Sequence, residues 1–139
     1  MFSKVLLATD LSKGSNEVVN CAKGLISLGT KDIVLTECFK TLEVTSLAFA
    51  EDIESVNAVL KEQESVLENQ GFKVKTEEVF GAAHVEVNRL LEKYNCDAVM
   101  VPSLGHSLMH EINLGSLAGS LMHHITKPLL LVRIKVVDS

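Results

Sequence analysis

Short apolar runs alternate with longer segments of helical period along the whole chain, and this alternation restricts the fold more than any other feature. The runs are KVLLAT at Lys4–Thr9, DIVLTECF at Asp32–Phe39, and residues 72–80, 98–101 and 128–134. Between the first two, Val18, Val19, Ala22, Leu25 and Ile26 are spaced to share one face of a helix over 17–28, which Gly29 closes. Residues 51–69 repeat the pattern with Ile53, Val56, Leu60, Gln63 and Leu67, and Gly71 follows as a stop. Residues 82–94 and 116–125 supply a third and a fourth helix. Strands that alternate with helices form a parallel sheet covered on both faces through right-handed crossovers. We therefore expect one α/β domain over residues 1–139. It is a five-stranded, doubly wound α/β/α sandwich with strand order 3-2-1-4-5. The third run alternates Phe72, Val74 and Thr76 with lysines, which suits an edge strand with one solvated flank.

Composition agrees with that architecture. Hydrophobic residues make up 47% of the chain but aromatics only 4%, so the core must be built from Val, Leu, Ile and Ala, as buried parallel strands require. A formal charge of −5 argues against a nucleic-acid or anionic-membrane partner, both of which need a basic face. Cys21, Cys38 and Cys96 are widely spaced and form no CxxC pair, so they read as free thiols rather than a metal or redox couple. The apolar run at the N-terminus is interrupted by Asp10, unlike a signal peptide, and no segment approaches the ~20 apolar residues of a membrane span. A cytoplasmic location is expected.

In the order 3-2-1-4-5 the strand sequence reverses between the first and fourth strands, and ligands of such sheets settle outside the carboxyl ends of the strands there. Two segments converge on that point, residues 10–15 and residues 102–116. The second belongs to VPSLGHSLMHEINLGS at 101–116, which is far longer than the about 2–6 residues usual between strand and helix. Gly105, nine residues, then Gly115 and Ser116 opening a helix would let backbone N–H groups and a helix N-terminus approach an anion. The plainer alternative is that Gly115 ends the loop and Ser116 is an N-cap. No GxGxxG follows the first strand, and the KGS at residues 13–15 lacks the rest of a P-loop. Residues 40–50 read as a surface connection, with a lid or partner contact as the alternative. His106 and His110 stand at i, i+4, but no metal-ligand set such as HExxH accompanies them. Asp10 and Glu78 are carboxylates at strand ends without a nucleophile beside them.

The ATD at the end of the first strand, Gly105-x9-Gly115-Ser116, and the following LAGSLMHHITKPLLLVR resemble the universal stress protein family. That family carries G-x2-G-x9-G-[ST], a helix ending near a His, and a final strand opened by Pro. Gly105, Gly115 and Ser116 match the pattern, as do His124 and Pro128, while Pro102 stands at the first glycine position. The resemblance implies a five-stranded α/β sandwich, a homodimer, and binding of ATP or AMP; the apolar PLLLVRI run, at a sheet edge in this order, is expected to make the dimer through the fifth strand. The resemblance would place Asp10 against the ribose and the backbone of Cys38 against the adenine. Pro102, Ser103, Gly105, Gly115, Ser116 and Leu117 would surround the phosphates. Two departures bear on a triphosphate. Pro102 is held near φ ≈ −65° and has no N–H, and the loop carries Glu111 and no Lys or Arg.

No base–nucleophile pair or metal triad falls in the expected cleft, so we expect a nucleotide-binding sensor or regulator of the stress response rather than an enzyme. The alternatives are a slow ATPase using Asp10 with Mg²⁺, and a nucleotide-free dimerisation or regulatory module.

Overall fold

The computed structural model describes residues 2–9, 15–39, 46–80, 82–102, 121 and 123–132, with the side chains at 15–17, 38, 39, 46–56, 80 and 102 left aside. Five strands, β1 (Lys4–Thr9), β2 (Asp32–Phe39), β3 (Lys73–Phe80), β4 (Ala98–Pro102) and β5 (Leu129–Val132), form one sheet in the order β3-β2-β1-β4-β5. Every pairing is parallel. This is the expected order, with β3 at an edge.

Alternation along the strands divides the core into two layers. Val5, Leu7, Ile33, Leu35 and Met100 face one way and pack with Val18, Val19, Leu25, Leu60 and Leu67. Leu6, Ala8, Val34, Val99 and Val101 face the other way and pack with Val87, Leu90, Leu91 and Leu121. The first layer is covered by α1 (Ser15–Cys21) and α2 (Ser46–Asn69), the second by α3 (Ala83–Lys93). Strands buried on both faces have no polar side to display, hence their nearly continuous apolar runs.

Two helices differ most from expectation. The helix expected over 17–28 divides: α1 ends at Cys21 and a 3-10 helix spans Ala22–Leu28. Gly24 lies in that second part, where glycine weakens an α-helix by roughly 0.5–1 kcal/mol. Gly29, at φ 88°, then turns left-handed, and its N–H donates to the Ile26 carbonyl at 3.0 Å. Helix α2 starts at Ser46 rather than residue 51, so the end of the uncertain 40–50 connection is helical. Residues 40–45 lie outside the described residues, as do most of the helix expected over 116–125 and the end of the strand expected over 128–134. Of that fourth helix, buried Leu121 remains, its carbonyl accepting the N–H of His124 at 3.0 Å and of Ile125 at 3.1 Å.

Candidate functional site

The ladder between the two central strands ends early where the strand order reverses. β1 pairs with β2 as far as Thr9, its last residue, and β4 pairs with β5 as far as Pro102, its last residue. The β1–β4 ladder, in contrast, ends at Leu7 and Met100, two residues short of both strand ends. Proline accounts for the gap. The N–H of Val99 points to β5, donating to the Pro128 carbonyl at 3.0 Å. Successive amides along a strand point to opposite neighbours, so the nitrogens of Met100 and Pro102 are directed at β1. Pro102 has no N–H to give Ala8, and the ladder cannot continue. The amide that proline removes is therefore a rung of the sheet.

The carboxyl ends of β1 and β2 are polar and buried. Thr9, Thr36 and Glu37 are all 0% exposed, and Thr9 Oγ1 donates to the Thr36 carbonyl at 3.2 Å. In register, Glu37 lies between Thr9 of β1 and Glu78 of β3. A buried carboxylate is costly unless it is hydrogen-bonded, so Glu37 is a residue of consequence at the carboxyl end of the sheet. The sequence contained a signal for it: DIVLTECF turns from apolar to polar at Thr36 and Glu37, directly after Ile33, Val34 and Leu35 of the core.

Of the expected nucleotide residues, Cys38 is the penultimate residue of β2, its backbone in register with Val79, and Pro102 ends β4. The structure thus places these two at carboxyl ends of strands. Asp10, Ser103, Gly105, Gly115, Ser116 and Leu117 lie outside the described residues, as do His106, His110 and Glu111. Glu78 is on the edge strand, and β2 stands between it and β1, so it is not a near partner for the end of β1. His84 and His124 stack with ring centroids 4.3 Å apart, and Asn88 Nδ2 donates to the His124 carbonyl at 2.9 Å, docking the end of the last helix on α3. Among the described residues, no group of three or more His, Cys, Asp or Glu is placed to hold a metal. No helix among them is long and apolar enough to cross a membrane.

Comparison with known proteins extends the likeness over the whole chain. The universal stress protein MJ0577 of Methanocaldococcus jannaschii is 24% identical over 157 aligned residues, covering 97% of each chain. The solved structure of MJ0577 matches at a TM-score of 0.81 and 26% identity, covering 99% of each chain. A universal stress protein solved in complex with cAMP matches at a TM-score of 0.70 and 18% identity, covering 95% of this chain and 97% of that one. One from Archaeoglobus fulgidus, solved in complex with dAMP, matches at 0.66 and 13%, covering 94% and 98%. The model of the universal stress protein family spans residues 1–133, and the chain belongs to that family.

Proposed function

We propose that this protein binds an adenine nucleotide, AMP or ATP, at the carboxyl ends of β1, β2 and β4, and acts as a sensor or regulator in a stress response. The observation that carries this reading is the early end of the β1–β4 ladder at Leu7 and Met100, at the reversal of strand order, where ligands of such sheets sit in a crevice outside the strand ends. Two structural relatives bound to cAMP and to dAMP support an adenine nucleotide as the occupant. Cys38 offers backbone polar groups at the end of β2, and Gly105 and Gly115 are the residues whose amides the family resemblance assigns to the phosphates. Mass spectrometry of ligand released from the purified protein, followed by calorimetric titration with AMP and with ATP plus Mg²⁺, tests this. Gly115→Val should abolish binding, because a β-branched side chain blocks close approach of backbone to phosphate. Equal binding by the wild type and this variant would refute the phosphate assignment. Release of ADP during incubation with ATP would favour the slow ATPase instead.

We also propose a cytoplasmic homodimer through β5, which lies at the free edge beside β4. An edge strand presents unpaired backbone groups, and a two-fold axis would pair it with its own copy.

A further inference from the structure

A cavity lies at the opposite end of the sheet, near the amino ends of the strands, on the face that α3 covers. Register sets its walls: Lys4 of β1 pairs with Asp32 of β2, and Asp32 with Lys73 of β3, while Val34 pairs with Lys75 one step further on. Alternation puts these residues on one face of the sheet. Helix α3 ends at Lys93, and Asn95, in the left-handed region at φ 56°, turns the chain back toward β4. Tyr94, the residue after the helix, lines this end of the sheet, with Lys75 Nζ 5.6 Å from its ring centroid. The result is a cavity of about 150 Å³ lined by Lys4, Asp32, Lys73, Lys75 and Tyr94 around buried Val34.

The neighbouring carboxylates are committed elsewhere. Glu77 accepts from Lys93 Nζ at 2.7 Å and from Tyr94 Oη at 2.9 Å. Asp97 accepts from Ser3 Oγ at 3.0 Å and from the Lys4 backbone N–H at 3.1 Å. Among the described residues the ion pairs are Arg89–Glu86 and Lys93–Glu77, so Lys4, Lys73 and Lys75 enter none, even with Asp32 in the same row. Three ammonium groups against one carboxylate leave the rim doubly positive on a chain whose net charge is −5.

We propose that this cavity is a binding site for a small dianionic oxyanion of the phosphate or phosphate-monoester class, separate from the crevice at the carboxyl ends. A tetrahedral oxyanion offers acceptors in several directions, which suits three flexible lysines lining one cavity from two strands. The rim is open to solvent, so binding is salt-sensitive.

Titration with inorganic phosphate, followed by amide NMR, tests the site, with sodium chloride at matched ionic strength as the control. Saturable shifts are expected at Lys4, Ile33, Val34, Lys73, Lys75 and Tyr94 with phosphate and not with chloride. A Lys73→Ser/Lys75→Ser double variant should bind phosphate about tenfold more weakly or not at all. Lys61→Ser, on α2 and away from the cavity, should leave binding unchanged. Equal shifts with chloride, or unchanged phosphate affinity in a folded double variant, would overturn the proposal. Gly115→Val separates the two sites: phosphate shifts at the amino end should survive it.

Discussion

Leu7 and Met100 form the last pair of the β1–β4 ladder, and Pro102 stands where the next rung would have needed an amide. One residue thereby ends the hydrogen-bonded ladder between the two central strands at the point where sheets of this topology hold ligands.

Restoring the amide should extend the ladder. In Pro102→Ala, the new N–H of residue 102 is expected to donate to the Ala8 carbonyl and to exchange slowly with solvent. The gain of roughly 0.5–1.5 kcal/mol from a hydrogen bond is offset by proline's smaller loss of chain entropy, about 0.4–1 kcal/mol, so net stability should change little. Hydrogen exchange by NMR reads the outcome. An amide at 102 that exchanges as fast as those of a solvated loop would mean that it does not face β1.

Much of this fold was legible because burial on both faces writes itself into sequence as continuous apolar runs. The bounds of β1 and β2 match the apolar runs to the residue, and the strand order is the one expected among those that alternation and right-handed crossovers allow. What escaped was local. Nothing in AKGLISL distinguishes a 3-10 helix from a weak α-helix carrying a glycine. Pro102 was read as a missing phosphate donor, since the direction of a strand amide depends on register, which sequence does not specify. Glu37 was passed over because a polar residue near a strand end usually faces solvent, whereas this one is wholly buried.

Cys96 should be inert toward alkylation. Burial pushes its thiol up to about 11, the carboxylate of Asp97 adding to the effect and Lys4 opposing it. The thiolate is the reactive form. Peptide mapping after iodoacetamide treatment of native protein should find Cys21, which is exposed, labelled and Cys96 unlabelled. Both should label in denaturant. Labelling of Cys96 as fast as Cys21 in the native state would show that the turn after α3 opens readily.

Glu77 should make stability depend on pH in the acid range. Burial opposes its ionisation, but the hydrogen bonds from Lys93 and Tyr94, and the charges of Lys93 and Arg89, outweigh it and hold the carboxyl below its ordinary value. A carboxyl depressed on folding contributes stability above its unfolded value, near ~4.3 for glutamate, and that contribution is lost as pH falls through the folded value. Glu77→Gln should therefore be less stable than wild type at neutral pH, with the difference fading in strong acid. Urea denaturation across the range measures it. A difference that stays constant into acid would assign the loss to packing rather than charge.

The dimer proposed through β5 can be tested at one side chain. Leu130 packs partly against the core, but its neighbour Leu131 is 43% exposed although it lies within the last strand of the sheet. Beside a two-fold axis an antiparallel copy of β5 would cover Leu131 and pair the free backbone groups at the edge. Leu131→Lys would bury an ammonium at that contact without disturbing the core. A charge buried at an interface without a partner is strongly unfavourable, and lysine on an edge strand is a device that keeps edges apart. The wild type should scatter light as a dimer at micromolar concentration, and Leu131→Lys as a monomer with unchanged circular dichroism. A monomeric wild type, or a variant still dimeric, would remove β5 as the contact.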